Sequence, residues 1–262
     1  MYIFVNRMGG LGNQLFQYAA ARAVAELNTN SQILIQHETY NPHNENNQNY
    51  ADIFMKDAIQ VAEITDKTRN YFIFEQGGSF IPWNPLHIAV PVKLSGYFQY
   101  LPAIEKVLPS LIKDFLSSLE KYRKCFTVDP DNSVFVHIRR GDYLNLPDYH
   151  YSQQKEYYDK VFIYWKEKYG RDDFTIYMVS DDIEWCRQQQ WSFPCVFYDH
   201  KDELYVLALM SLCKAGAIMA NSTFSYWGAM LSGTDNVFYP DRWIGEKIHN
   251  LFPSEWRCMP SI

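Results

Sequence analysis

The sequence predicts an α/β protein of two halves, each built on a parallel sheet. Three observations carry this. The chain opens as strand, glycine turn, helix and strand. Its second half alternates short apolar runs with helical stretches. Polar, hydrogen-bonding residues gather just after several of these runs, where an open α/β sheet presents its ligand site.

The elements follow in order. Tyr2–Val5 is a short apolar run and the first strand. Met8-Gly9-Gly10-Leu11-Gly12 turns the chain, and a helix is expected from about Asn13 to Leu27, with Phe16, Ala19, Ala20, Ala23, Val24 and Leu27 on one face. Gln32–Gln36 returns as a strand, completing a βαβ opening. Asn41–Asn49, rich in Asn and holding Pro42, reads as a surface loop, and Gly77–Pro91 as irregular. Pro102–Leu119 has helical periodicity, and Lys121–Ser133 reads as the link to the second half. The expected domains are 1–125 and 126–262, the last segment packing back on the first half.

Beyond the link, strands are expected at Val134–Ile138, Phe174–Val179, Cys195–Tyr198, Ala217–Ala220 and Asn236–Tyr239, the last stopped by Pro240. Helices are expected at Gln153–Lys168, Asp181–Gln190, Asp202–Lys214 and Phe224–Ser232, the final one closed by Gly233.

Composition narrows the class. A chain of 262 residues has room for one large domain or two small ones. A net charge of -6 without a long Lys/Arg run argues against nucleic acid as a partner, because such proteins neutralise phosphates with a basic face. One or two well-placed cations still suffice for a small phosphorylated ligand. The five cysteines, Cys125, Cys186, Cys195, Cys213 and Cys258, include no C-x-x-C pair and read as reduced, mostly buried thiols. Nothing resembles a signal peptide or a membrane span, so the expected location is cytoplasmic or peripheral to a membrane face. Aromatic residues reach 17%, which fits an aromatic-rich core first and sugar contact second.

The residues after each strand carry the chemistry. Arg139-Arg140-Gly141-Asp142 follows Val134–Ile138. Adjacent guanidiniums repel unless an anion lies near, and a diphosphate suits the fork geometry of Arg; an ion pair with Asp142 is the plainer reading. Asn221-Ser222-Thr223, followed by Ser225, stands where a strand becomes a helix. Hydroxyls and free N–H groups there can cradle phosphate, or Ser222 or Thr223 can simply cap the helix. Ser180-Asp181-Asp182 offers one helix cap and one carboxylate able to accept from a ribose or from guanine N–H groups. Gly10-Leu11-Gly12-Asn13-Gln14 keeps two glycines of a dinucleotide fingerprint and lacks the third; with Glu38 in the place of a ribose-binding acid, it leaves an oxidoreductase as one alternative. Asp129-Pro130-Asp131 reads as a turn, not a metal-binding D-x-D. No metal and no other cofactor are expected. No P-loop and no G-x-S-x-G motif occurs.

Six segments together resemble the α-1,2-fucosyltransferase family, glycosyltransferase family 11. They are Gly9 to Tyr18 (GGLGNQLFQY), Gly96 to Gln99 (GYFQ), His137 to Tyr143 (HIRRGDY), Ser180 to Cys186 (SDDIEWC), Leu209 to Lys214 (LMSLCK) and Ala220 to Ala229 (ANSTFSYWGA), in the family's order, with Pro253 and Trp256 near the end. The chain departs from the family at Val179, Ala215 and Tyr226, where Phe, His and Trp are usual, and these changes bear on acceptor choice and packing. The resemblance implies a GT-B-like fold of two Rossmann-like halves facing across a cleft. It implies an inverting, metal-independent transfer of fucose from GDP-β-L-fucose, the donor on the C-terminal half, to a glycan acceptor ending in galactose. In that reading Arg139 stabilises the leaving group, and Asp142 is either the general base or the group that orients the arginines. His137, Arg140, Asp181, Asp182, Asn221, Ser222, Thr223 and Ser225 complete the donor site, while Gly10, Gly12, Asn13 and Gln14 meet donor or acceptor from the other half. Another fucosyl linkage, such as α-1,6, and a non-catalytic sugar-nucleotide or glycan-binding module remain as alternatives.

Overall fold

The computed structural model describes residues 1–36, 48–61, 71–76, 81–147, 150–170, 173–244, 246–247 and 250–261. Glu38 and most of the Asn41–Asn49 stretch lie outside them. The chain forms two compact units, Met1–Ser118 with His249–Phe252, and Leu119–Ile248 with Pro253–Ile262.

In the first unit, β1 (Tyr2–Val5) leads through the glycine turn into α1 (Leu11–Leu27), then β2 (Gln32–Gln36), α2 (Tyr50–Phe54), β3 (Ile59–Val61), β4 (Phe72–Glu75), β5 (Val92–Ser95) and α3 (Leu101–Ile104). The five strands pair in parallel in the order β3-β2-β1-β5-β4. Helix α1 is buried on more than one face: Leu15, Phe16, Ala19, Ala20 and Val24 are fully enclosed, and Gln14 and Gln17 are enclosed with them. Its run of alanines lets neighbours approach closely while keeping high helix propensity.

Three strands and one helix here escaped the sequence. α2, β3 and β4 are too short for periodicity to register, and β4 is an edge strand with Phe72 and Ile73 exposed. β5 has only four residues, between Pro91 and Gly96, yet it pairs with both β1 and β4. Residues 81–91 are irregular, as the Gly77–Pro91 reading expected of that part, and 77–80 lie outside the described residues. The helical stretch expected at Pro102–Leu119 is broken into α3 and α4 (Leu108–Arg123). The division between the units falls inside α4, ahead of the 125/126 boundary and of the segment read as a link. Asp129-Pro130-Asp131 forms a turn, with a 3-10 helix at Pro130–Asn132.

The second unit runs β6 (Ser133–Ile138), α5 (Lys155–Tyr169), β7 (Thr175–Ser180), α6 (Ile183–Gln188), β8 (Val196–Tyr198), α7 (Glu203–Met210), β9 (Gly216–Ile218), α8 (Thr223–Ser232), β10 (Val237–Pro240), the small antiparallel pair β11 (Arg242–Ile244) and β12 (Glu246–Lys247), and β13 (Arg257–Met259). Six of these strands form a parallel sheet in the order β13-β10-β9-β6-β7-β8. Strand β6 is buried along its whole length, the mark of a central parallel strand covered on both faces. Val134, Val136 and Ile138 pack with Tyr157, Tyr158, Val161 and Trp165 of α5. The alternate residue His137 points to the opposite side, where Ser225 of α8 meets it. Asn236–Tyr239 is not the last strand: β13 adds beyond β10 as an edge of three residues, too short and polar to read from sequence.

Gly233 ends α8 with φ +70, a left-handed conformation that glycine adopts without strain. The cysteines are all free: Cys186 and Cys213 are buried, Cys195 is half-buried, and Cys125 and Cys258 are exposed, so burial is less general than expected.

Candidate active site

The order of the strands locates the site. In the second unit the chain runs from β6 outward to β7 and β8, then crosses back to β9 on the other side of β6. The crossover connections from β6 and β9 therefore leave in opposite directions, the topology at which an open α/β sheet presents its ligand site beyond the carboxyl ends of its strands. Arg139 and Arg140 follow β6 directly, and Asn221 and Ser222 lie just past β9. In the first unit the same reversal falls between β1 and β5. The glycine turn follows β1 there, and Gly96-Tyr97-Phe98-Gln99 follows β5.

The two arginines divide their work. β6 and β7 pair with Ile138 opposite Ser180, which sets Arg139 and Arg140 against Asp181 and Asp182. Arg139 Nη2 donates to Asp142 Oδ1 at 2.6 Å, and Nη1 lies 3.1 Å from Asp181 Oδ2. The Arg140 backbone N–H donates to Asp181 Oδ1 at 2.9 Å, while its Nε donates to Asp182 Oδ2 at 3.2 Å. The Arg140 guanidinium also lies 3.8 Å from the centroid of Trp185, a cation–π contact. Arg140 is the more enclosed, its side chain 12% exposed against 29% for Arg139. Thus Arg140 braces β6 against α6, and Arg139 is the guanidinium presented outward. Burial works against the charge of Arg139, but Asp181 and Asp142 outweigh it and raise its pKa, so it stays ionised.

The acidic residues settle into these pairs. Asp142 pairs with Arg139 through Oδ1 and its side chain remains 43% exposed. Asp182 caps α6 by accepting from Trp185 N at 3.2 Å, and also holds Arg140. Asp181 is bound to both arginines, by an ion pair to Arg139 and by accepting from the Arg140 backbone N–H. Gly141 makes the arrangement possible: a Cβ there would lie 2.5 Å from Asp181 Oδ2. Two guanidiniums face three carboxylates, so the cluster by itself carries no excess positive charge.

The polar residues at α8 take distinct parts. Ser222 is the N-cap, accepting from Phe224 N at 3.3 Å. Ser225 is fully buried; its hydroxyl accepts from Ala220 N at 3.2 Å and bonds His137 Nδ1. Asn221 donates through Nδ2 to Tyr151 O and Trp243 O, both at 2.8 Å, tying two loops to the end of β9. His137 is enclosed, and burial, aided by Arg139, pushes its pKa down to about 3, so it is a neutral imidazole. His137, Asn221 and Ser225 are thus all buried and hydrogen-bonded within the second unit. Ser222, Thr223 and the first-turn N–H groups of α8 lie beyond the carboxyl end of β9.

In the first unit Gly9 has φ +73, and a Cβ there would lie 2.5 Å from Asn13 Nδ2. Gly10 is the N-cap of α1 and offers no side chain, its carbonyl accepting from Asn13 N and Gln14 N. Gln17 braces the turn by accepting from Met8 N at 3.0 Å and donating to Met8 O at 3.2 Å. Gln14 donates to Gly9 O at 3.1 Å. Gln14 and Gly12 are buried, so the half-buried Asn13, held by Gln99 Nε2 at 3.0 Å, is the side chain left near the surface.

The sequence reading gave Tyr143 and Trp185 a place in matching segments but no role, and it did not single out His150. The Arg139 guanidinium lies 5.4 Å from the Tyr143 centroid, and the Tyr143 hydroxyl donates to Asn221 O at 2.9 Å. His150 stacks on Tyr143 with centroids 4.2 Å apart and planes 9° from parallel. Nothing in a polar loop marks such a stack; only the fold brings its members together. Among the described residues, no group of three or more His, Cys, Asp or Glu side chains is arranged to hold a metal ion, and no helix is long and apolar enough to cross a membrane.

The family model for glycosyl transferase family 11 matches residues 2–242. The O-antigen biosynthesis glycosyltransferase WbnK of Escherichia coli is 27% identical, over 95% of this chain and 97% of that protein. An alpha-1,2-colitosyltransferase of Escherichia coli is 32% identical over 54% of this chain and 57% of its own length. A galactoside 2-alpha-L-fucosyltransferase of Caenorhabditis elegans is 27% identical over 88% and 70%. Among solved structures, that of POFUT1 in complex with GDP superposes with a TM-score of 0.50 at 12% identity, covering 89% of this chain and 94% of that one. The fold is thus that of the GT-B-like fucosyltransferases.

Proposed function

The chain belongs to glycosyltransferase family 11, and on that premise we propose that it transfers L-fucose from GDP-β-L-fucose to O2 of a terminal galactose in a glycan, with inversion and without a metal. The observation that carries this reading is Arg139, held outward at the switch point of the second unit by Asp142 and Asp181. The names of the relatives supply the 1,2-linkage and the galactoside acceptor.

In the transfer an acceptor oxygen attacks the anomeric carbon while the bond to the β-phosphate breaks. Negative charge grows on the diphosphate, and donors aimed at that charge lower the barrier. Arg139 supplies the largest share because its fork has five N–H donors, more than Asp142 and Asp181 consume. Ser222, Thr223 and the positive end of α8 add to it. Arg140, Asp182 and Trp185 position β6 and α6, and His137, Ser225 and Asn221 brace the surrounding strand ends. The second unit is thus the donor side, and Asn13, at the switch point of the first unit, serves the sugar or the acceptor.

The test is calorimetric titration with GDP, GDP-fucose, UDP and NADH in EDTA, followed by turnover on lactose-type acceptors. Binding of GDP but not UDP or NADH, lost in Arg139→Ala, supports the assignment. Binding of NADH, or GDP binding indifferent to Arg139, overturns it. The colitosyltransferase relative favours a second donor, GDP-colitose, which differs from GDP-fucose in the sugar alone; rates with the two donors side by side decide between them.

A further inference from the structure

We propose that Gln99 is a positioning residue for the transfer: it fixes the side-chain amide of Asn13 and acts on turnover through it. The inference rests on the transfer reading above, in which Asn13 serves the sugar or the acceptor, and adds a residue to which that reading gives no part.

Both residues belong to the first unit and meet at its switch point, Asn13 in the first turn of α1 after β1 and Gln99 in the segment after β5. Gln99 is only 3% exposed, and its Nε2 donates to Asn13 Oδ1 at 3.0 Å. Its Oε1 has no hydrogen-bond partner among the described residues. Burying an amide with one end unsatisfied costs free energy that an apolar side chain of similar size would not. What the glutamine supplies, and a leucine would not, is the bond to Asn13.

The backbone that delivers Gln99 is held in an uncommon path. Phe98, directly before it, has φ +55, in the left-handed region where a bulky residue is an outlier. Gly96 has φ +138, and a Cβ there would lie 2.9 Å from Gln76 Cβ. The surroundings enforce this path. The Phe98 N–H donates to Gln76 Oε1, and Gln76 Nε2 donates to Ile81 O at 2.9 Å. The buried Phe98 ring packs edge-on against Trp83, with centroids 5.3 Å apart. Strain kept in place by its neighbours is the kind that persists where a side chain has to be aimed.

Asn13 is gripped from its other end as well. Its Nδ2 lies over Gly9, where φ is +73 and a Cβ would stand 2.5 Å from that nitrogen. A primary amide has a donor end and an acceptor end of nearly equal size, and only its partners decide which way round it sits. With Oδ1 on Gln99 and Nδ2 on the side of the glycine turn, one orientation is selected in advance. A sugar or phosphate oxygen on that side then meets an N–H donor and not the amide oxygen. Setting the donor before the substrate arrives is what lowers the barrier, because nothing has to reorganise during the reaction.

The experiment measures kcat/KM for transfer, Kd for GDP and the melting temperature of the full chain, for wild type, Gln99→Leu, Gln99→Met, Asn13→Ala and the double variant Gln99→Leu with Asn13→Ala. Gln99→Leu and Gln99→Met should each lower kcat/KM by up to about 10²-fold and by no less than tenfold. Both should leave the Kd for GDP within threefold and should melt no lower than wild type, since the unsatisfied Oε1 is removed with the bond; Met serves if the Leu variant does not fold. In the Asn13→Ala background the change at Gln99 should cost no further activity, so that the double variant stays within threefold of Asn13→Ala. A purely structural glutamine would instead impose the same loss in both backgrounds. Losses that multiply in the double variant, or Gln99 variants with kcat/KM within threefold of wild type, overturn the inference and leave the transfer reading intact. A wild-type chain that binds GDP yet transfers to no acceptor overturns both.

Discussion

Replacing Arg139 by Lys tests whether the leaving group is met by a fork or merely by a charge. In the structure Arg139 splits its donors, Nη2 to Asp142 at 2.6 Å and Nη1 to Asp181 at 3.1 Å, and keeps N–H groups for a third partner. A lysine ammonium is a single nitrogen and cannot serve two carboxylates at opposite ends while also facing a phosphate. At least one charge-assisted hydrogen bond is lost, worth about 1.5–3 kcal/mol, so kcat should fall roughly 10- to 150-fold. Arg139→Ala removes the whole donor and should cost about 2.7–4 kcal/mol, or 10²–10³ in kcat. It also strands Asp142 and Asp181 without their cation, so GDP binding should weaken more in Ala than in Lys. The assay is the initial rate of GDP release at saturating donor and acceptor, with calorimetric Kd for GDP and a melting curve to show that both variants fold. Arg139→Lys with kcat and Kd within threefold of wild type would refute the fork argument.

Other outcomes follow from the same geometry. Asp181→Asn and Asp142→Asn each remove a competitor for Arg139, so GDP should bind as tightly or more tightly while kcat falls at least tenfold; a weakened GDP complex with unchanged kcat would contradict this. Gly141→Ala places a methyl 2.5 Å from Asp181 Oδ2, and turnover should drop with little change in melting temperature. Asp182→Ala deletes a helix cap and the partner of Arg140; the cap alone is worth about 1 kcal/mol, and denaturant unfolding should show at least that loss. His137 is neutral in the folded chain with a pKa of about 3, against 6.5 when unfolded. The unfolded state therefore binds the extra proton between these values, so this contribution to stability is complete above 6.5 and is lost as pH falls toward 3, by up to about 1.4 kcal/mol per pH unit. His137→Gln should flatten stability against pH across that window, and an unchanged slope would show that His137 is not the group responsible.

Much of this was legible along the chain because it is local. β1, β2 and β6 declare themselves as short apolar runs, and α1 and α8 by glycine turns, periodicity and a closing Gly233. Motifs lying directly after strands could be placed at the carboxyl edge of a sheet before any coordinates, since a parallel sheet sends all its connections out at that edge. Glycosyltransferase family 11 was readable for the same reason: its marks are contiguous segments such as His137–Tyr143 and Ala220–Ala229.

Pairing across the fold decided the rest. Which of two adjacent arginines faces outward depends on Trp185 and Asp182, more than 40 positions away and opposite only because Ile138 registers with Ser180. Asp142, open in sequence to two roles, meets the Arg139 guanidinium because the turn at Gly141 folds it back. His137, Ser225 and Asn221 follow strands as ligand groups do, and the alternation of β6 and the burial of α8 enclose all three side chains. β5, β13 and the stack of His150 on Tyr143 leave almost no local signal, because each is held by partners remote in sequence. Residue order specifies which groups are available at the end of each strand; strand register and desolvation determine which of them are enclosed and which partners each one meets.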